Sequence, residues 1–183
     1  MGEIKDQIIS SEFVFRGKFL KIIRDQVKTA AGKLWSREYI HHPGASMVIP
    51  VLPDGRLVMI RQYRHALKQE FLEFPAGKID AGESTLVAAK RELEEETGYV
   101  ASDWKSLTTI HPCIGYANEK IEIFLARDLT LKQAKLDEGE HLTVEAIKFE
   151  DLVRWVQEGK VSDVKTQIGV FWYEKIRGKN WIP

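Results

Sequence analysis

Gly77-Lys78-Ile79-Asp80-Ala81-Gly82-Glu83, followed by Ser84-Thr85-Leu86-Val87-Ala88-Ala89-Lys90 and Arg91-Glu92-Leu93-Glu94-Glu95-Glu96-Thr97-Gly98-Tyr99, is the stretch on which the reading of this chain turns. Residues 84–97 carry the strongest helix signal. Ser84 suits a cap, Leu86, Val87, Ala88, Ala89 and Leu93 are tolerable or good formers, and Gly98 stops the run. Gly77 and Gly82 bracket a loop whose backbone bends tightly. At about 100° per residue, Glu92, Glu95 and Glu96 share one arc of the helix. Three like charges on one face oppose folding by a few tenths of a kcal/mol per pair. A divalent cation reverses that sign, and hard carboxylate oxygens suit Mg²⁺ or Mn²⁺. A solvated acidic face would explain three glutamates by themselves, but not the glycines around them. Small Ala88 and Ala89 border the acidic face, where a substrate or a second layer could approach closely.

Working outward, 12–27 alternates and turns at Gly17, with a further turn at Ala31-Gly32, and 35–41 reads as another strand. Residues 45–52 and 56–63 flank Pro53-Asp54-Gly55 and read as a hairpin. Strand patterns return at 106–110, 121–126 and 142–149. Residues 150–158 read as a helix ended by Gly159, and 163–176 as a helix capped by Ser162. Strands mixed with a few helices, without a strict strand–helix–strand rhythm, predict an α+β or layered mixed-sheet domain.

The whole chain has 183 residues, with 27 Lys+Arg balanced by 27 Asp+Glu. That length suits one ordinary domain with a real core. Zero net charge argues against a general nucleic-acid binder, which is basic over a whole domain. Cys113 is the single cysteine, which excludes an intrachain disulfide and a multi-cysteine zinc site. The N-terminal residues lack the apolar core of a signal peptide, and no apolar run approaches the length of a bilayer span. The expectation is a cytoplasmic protein with neither nucleic-acid nor membrane partners.

Gly77, five residues, Glu83, seven residues, then Arg91-Glu92-Leu93-x-Glu95-Glu96-x-Gly98-Tyr99 resembles the signature box of the Nudix hydrolases. Seven fixed residues at about 7% each give odds on the order of 10⁻⁸ per starting position. Tyr99 stands where an aliphatic residue is more usual. The resemblance runs over roughly 27–177. It implies an α/β/α Nudix sandwich, here with an N-terminal antiparallel β region over 1–43 and the hydrolase domain over 44–183. It also implies Glu92 and Glu96 as principal metal ligands, with Glu95 a further ligand or a base acting through water. Arg91 and Glu83 become the pair that orients the helix carboxylates, and the Ala76 carbonyl a backbone metal ligand.

Arg37-Glu38-Tyr39-Ile40-His41-His42-Pro43-Gly44-Ala45, Arg61-Gln62-Tyr63-Arg64 and Phe71-Leu72-Glu73-Phe74-Pro75-Ala76-Gly77 resemble the ADP-ribose and nucleoside diphosphate sugar pyrophosphatase branch. Arg64 then becomes a candidate phosphate clamp, with Arg61 near it, or else a surface arginine at a strand end. Glu73 becomes a binder of ribose or base hydroxyls, or a strand salt bridge. Trp35 and Arg37 become nucleotide contacts, reached from a neighbouring subunit if N-terminal strands are exchanged in a homodimer; Trp35 equally suits plain interface or core. In the acidic loop Asp137-Glu138-Gly139-Glu140, the branch places a glutamate near the metals, Glu140 first and Glu138 second. One departure stands out. In His111-Pro112-Cys113-Ile114-Gly115-Tyr116, Ile114 occupies the place of the branch's proline, and Tyr116 lies near a tyrosine of the diadenosine-polyphosphate hydrolases. GDP-mannose and other nucleotide sugars therefore stand beside ADP-ribose as expected substrates. Dinucleoside polyphosphates, or a non-catalytic module that senses nucleotides or binds protein, remain as alternatives. Phe13, Phe15, Phe19, Phe171-Trp172-Tyr173 and Trp181 offer apolar surface for a dimer or for a monomer core.

Overall fold

The computed structural model describes residues 6–132 and 142–177. These described residues group into two compact units, one within 1–44 and 111–120 and the other within 45–110 and 121–183.

The first unit is an antiparallel sheet of β1 (Gln7–Arg16), β2 (Lys21–Lys28) and β3 (Leu34–Ile40), in the order β1-β2-β3. Its strands turn where the glycines predict: Gly17 N–H donates to the Leu20 carbonyl at 2.8 Å, and Gly32 takes φ 78°. The central strand sets Val27 opposite both Ile8 and Trp35, and Asp25 opposite both Ser11 and Arg37. Segment 111–120 joins this unit through a parallel bridge between Ile40 and Ala117.

The second unit contains β4 (Ala45–Pro50), β5 (Leu57–Arg64), β6 (Gln69–Glu73), β7 (Ala76–Lys78), α1 (Thr85–Thr97), β8 (Tyr99–Ile110), β9 (Ile121–Leu131), β10 (Leu142–Ile147), α2 (Phe149–Gln157) and α3 (Val164–Ile176). One sheet runs β7-β4-β9-β8, with β4 and β9 parallel; the other runs β10-β5-β6 and is antiparallel. Every residue of β4 is buried, as a strand covered on both faces must be. Its side chains divide by the two-residue period. Val48 joins Phe124 and Ala126 of β9 beneath Ala89 and Leu93 of α1. Met47 and Ile49 join Ile123 and Leu125 against Leu152 of α2 and Val170, Tyr173 and Ile176 of α3. A helix on one face and two on the other make the expected α/β/α sandwich. Leu93 is wholly buried, so its truncation to alanine would cost about 2–5 kcal/mol.

Two local expectations are corrected. Residues 45–52 and 56–63 do turn at Gly55, which has φ 84°, but they share a single bridge, Val51 to Leu57, and then part into different sheets. The edges of β4 are taken by β7 and β9, so no hairpin ladder forms. The cap of α3 is Asp163 rather than Ser162: its carboxylate accepts the Thr166 N–H at 3.0 Å.

Candidate active site

The box helix forms because its ends are satisfied and one of its faces is apolar. Ser84 Oγ accepts the Val87 N–H at 3.3 Å, and Gly98, at φ 73°, donates its N–H to the Glu94 carbonyl at 2.9 Å. Ala88, Ala89 and Leu93 are completely buried. The two alanines therefore face the protein's own second layer and not a substrate, because helix and sheet close over them.

Arg91 organises the acidic side of α1. Its Nε and Nη2 donate to the two oxygens of Glu83, each at 3.0 Å. Nη2 also donates to the Lys78 carbonyl at 2.9 Å, and Nη1 donates to Glu92 at 2.7 Å and Glu95 at 3.0 Å. These five contacts match the five N–H donors of a guanidinium. The Arg91 hydrogen bonds hold the Glu83 carboxyl below the usual carboxylate range, with help from the Asp80 N–H at 3.1 Å. Glu83 in turn raises Arg91 further above its ordinary value. The expected orienting pair is thus a bidentate brace that fixes the helix to the preceding loop.

Glu96 is 3% exposed, and one of its oxygens accepts the Ala76 N–H at 3.0 Å. Gly77 is required by contact rather than by turn geometry. A Cβ built there would overlap the Glu92 carboxylate. The loop backbone therefore lies against Glu92 and is bonded to Glu96, which brings Ala76 and two of the three expected carboxylate ligands together. Glu95 is the most open of the three, with a side chain 34% exposed against 14% for Glu92.

This donor set suits a hard divalent cation. Its side chains supply carboxylate oxygen, and the close approach of the Gly77 backbone, which leaves no room for a Cβ, sets the Glu92 carboxylate against the loop. Among the described residues no three His, Cys, Asp or Glu side chains converge as a ready-made metal cluster. In this arrangement Arg91 holds Glu92 and Glu95 while the Ala76 N–H holds Glu96.

The expected substrate-side residues divide into four groups. Arg64 and Glu73 come together as a bidentate pair, both contacts at 2.7 Å. The Glu73 side chain is only 3% exposed and is also bonded by Lys165. Arg64 is raised above its ordinary pKa chiefly by Glu73, with further support from the fields of Glu96 and Asp163. Arg61 instead pairs with Glu145 of β10 at 2.7 Å. Trp35 and Arg37 lie exposed on β3 of the first unit, where Arg37 reaches Asp6 at 3.2 Å. Glu138 and Glu140 lie outside the described residues.

Reading the sequence alone missed Lys165, Asp163 and Thr166. Asp163 carried a signal, since an aspartate three residues before a threonine can cap a helix. Nothing local to Lys165 reveals its partner Glu73, which is 92 residues away in the chain.

The NUDIX domain matches residues 40–166. The chain is 36% identical to "ADP-ribose pyrophosphatase" of Bacillus subtilis (strain 168), over 93% of each chain. It is 35% identical to "Methanol dehydrogenase activator" of Bacillus methanolicus, over 93% of this chain and 94% of that one. A solved structure, "Crystal structure of ADP compounds hydrolase", superposes with a TM-score of 0.85 at 25% identity, covering 97% of this chain and 98% of the other. A domain match over most of the chain, with relatives spanning nearly all of it, makes this chain a member of the Nudix hydrolase family.

Proposed function

We propose that this chain hydrolyses the pyrophosphate bond of nucleoside diphosphate sugars, ADP-ribose foremost, in a Mg²⁺-dependent reaction that yields a nucleoside monophosphate and a sugar phosphate. Mn²⁺ is the alternative ion. The observation that carries this reading is the brace at Arg91. One guanidinium, fixed by Glu83, is shared between Glu92 and Glu95, while Glu96 is tied to the Ala76 backbone. A protein free to abandon catalysis has no need to hold so many carboxylates in this one place.

Glu92, Glu95, Glu96 and the Ala76 carbonyl are the groups that would hold the ion. Bound there, the cation would neutralise the diphosphate and make water a better nucleophile. Glu83 and Arg91 keep the carboxylates aimed. Water attacks one phosphorus, the bridging P–O bond breaks, and the nucleoside monophosphate and sugar phosphate separate. Glu95, as the most open of the three proposed ligand carboxylates, and Glu140 or Glu138 of the acidic loop are the candidates to take the proton from that water. Arg64 Nε and Nη2 are occupied by Glu73, which leaves Nη1 for a phosphate oxygen. In this reading Glu73 serves the substrate by aiming Arg64.

The reading extends to a cytoplasmic homodimer in which residues 1–43 mediate pairing and Trp35 and Arg37 reach the nucleotide. Its support is the apolar surface of the first unit. Ile8, Phe13, Phe15, Phe19 and Leu34 are exposed, and Trp35 is 54% exposed. Among the described residues no helix is long and apolar enough to cross a membrane.

The decisive experiment is a substrate panel of ADP-ribose, GDP-mannose, UDP-glucose, NADH and diadenosine polyphosphates, with Mg²⁺ and with EDTA. Release of AMP from ADP-ribose, abolished by EDTA and restored by Mg²⁺, is expected. Turnover in EDTA would overturn the mechanism, and preference for a diadenosine polyphosphate would overturn the substrate class.

A further inference from the structure

We propose that the first turn of α3, through Lys165 and Thr166, is a positioning element that sets Arg64 and the Phe74–Ala76 backbone for the reaction; this rests on the metal-dependent reading above. Two separate threads lead from that turn to the site.

The first thread passes through Thr166, whose side chain is wholly buried. Its hydroxyl donates to Asp163 Oδ2 at 2.6 Å and accepts the Phe74 N–H at 3.2 Å. A hydroxyl does both at once, and a methyl group in its place does neither. Beyond Phe74, the Pro75 carbonyl accepts the Val48 N–H at 2.9 Å, and the Ala76 N–H donates to Glu96. Three consecutive residues are thereby held at three points, by α3, by β4 and by α1. A shift at Phe74 must reach Ala76, whose carbonyl is a proposed metal ligand, because Pro75 between them is stiff at φ. The packing agrees with the hydrogen bonds. A Cβ on Gly169 would lie 2.8 Å from the Phe74 ring and 2.9 Å from Met47 Cε, so α3 rests directly on this segment.

The second thread passes through Lys165, whose side chain is 12% exposed. Its ammonium bonds Asp163 at 2.9 Å and also Glu73, the carboxylate that grips Arg64. Two cations therefore share one buried carboxylate, and the orientation of that carboxylate sets the direction of Arg64. Arg64 is the group proposed to meet phosphate, whereas Ala76 is proposed to meet metal. The two threads should therefore leave different kinetic signatures.

The test compares wild type with Thr166→Val, Thr166→Ser and Lys165→Met, with ADP-ribose as substrate over a Mg²⁺ titration and with the Mg²⁺-induced rise in melting temperature read without substrate, a rise that Thr166→Val should require more Mg²⁺ to reach. Thr166→Val is expected to lower kcat about tenfold and raise the half-saturating Mg²⁺ several-fold, with KM within about twofold; Thr166→Ser restores most of the loss. Lys165→Met is expected to raise KM about tenfold, with kcat within about threefold. A folded Thr166→Val protein with wild-type kcat and Mg²⁺ dependence overturns the inference, as does a Thr166→Ser protein equally impaired. If Thr166→Val does not fold, Lys165→Met decides, and an unchanged KM overturns the inference. A wild type without Mg²⁺-stimulated hydrolysis overturns the underlying reading and the inference with it. A wild type that hydrolyses, with variants indistinguishable from it, overturns the inference alone.

Discussion

Two ion clusters stand in the same unit and differ in their charge arithmetic. At α1, Arg91 is bonded to Glu83, Glu92 and Glu95 and lies 3.9 Å from Asp80, and Glu96 lies one turn along. Carboxylates gathered around one guanidinium in this way leave negative charge in excess. At α3, Arg64 and Lys165 face Glu73 and Asp163, and the charges cancel. The carboxylates at the heart of both clusters are sheltered from water, Glu92 at 14% and Glu73 at 3% exposed, although the Arg64 side chain is itself 42% exposed. A sheltered, balanced cluster needs nothing from outside and can serve as a fixed support. A sheltered, unbalanced one is complete only when it takes up cations, and it will lose least in stability if one of its carboxylates is neutralised.

The largest effect should come from that neutralisation. Glu96→Gln keeps the shape and an oxygen for the Ala76 N–H, so the fold should survive with an unchanged circular dichroism spectrum. Turnover of ADP-ribose should fall about 10³-fold. Mg²⁺ should raise the melting temperature of wild type and raise that of the variant much less. Near-normal activity in Glu96→Gln would break the contrast between the clusters.

Gly77→Ala comes next. The added methyl must displace the Glu92 carboxylate or the loop, because the two cannot share that space. A loss of about 10–100-fold in kcat/KM is expected, with a higher Mg²⁺ requirement. Activity within twofold of wild type would mean that the contact between loop and Glu92 is unimportant.

These two residues also mark what the sequence could reveal. The box was legible because its chemistry is local: helical spacing sets Glu92, Glu95 and Glu96 side by side, and the Glu83–Arg91 brace spans eight residues. Arg64 and Glu73 were legible as candidates but not as each other's partner, since their meeting depends on the β5–β6 register. Lys165 was invisible because only the packing of α3 brings it to Glu73. The false hairpin at Gly55 has the same origin. Its turn chemistry is local and correct, but which sheet each strand joins is decided by β7 and β9 elsewhere in the chain. Glu138 and Glu140 remain expectations, outside the described residues.

Glu83→Gln tests the brace without touching a proposed ligand. Arg91 would lose its anchor and keep Glu92 and Glu95, so a fall of about tenfold in activity is expected. Its pH dependence is a sharper test. The folded Glu83 carboxyl lies below its ordinary range, chiefly through Arg91. Its contribution to stability is therefore fully present above the ordinary carboxylate pKa and is lost as pH falls through the lowered value. Wild type should melt higher than Glu83→Gln at neutral pH, and the gap should close under acid conditions. A gap that widens with acidification would contradict the assigned direction.

The smallest effect should come from a third cluster, which separates imbalance from shelter. On the first unit's sheet, Arg24 is also outnumbered, reaching Glu38 at 2.8 Å and Glu12 at 3.4 Å, but here both carboxylates are open to water. Glu38 raises the Arg24 guanidinium above its usual value without making the pair structurally important. Arg24→Ala should change the melting temperature by no more than about 2 °C. That change should shrink further in 1 M salt, where the screening length falls to about 3 Å. If imbalance alone created a cation site, this cluster should behave like the one at α1, and Mg²⁺ should stabilise Arg24→Ala more than wild type. If shelter is also required, as the contrast between α1 and α3 implies, Mg²⁺ should stabilise the two proteins equally, because water already screens the carboxylates that Arg24 leaves behind.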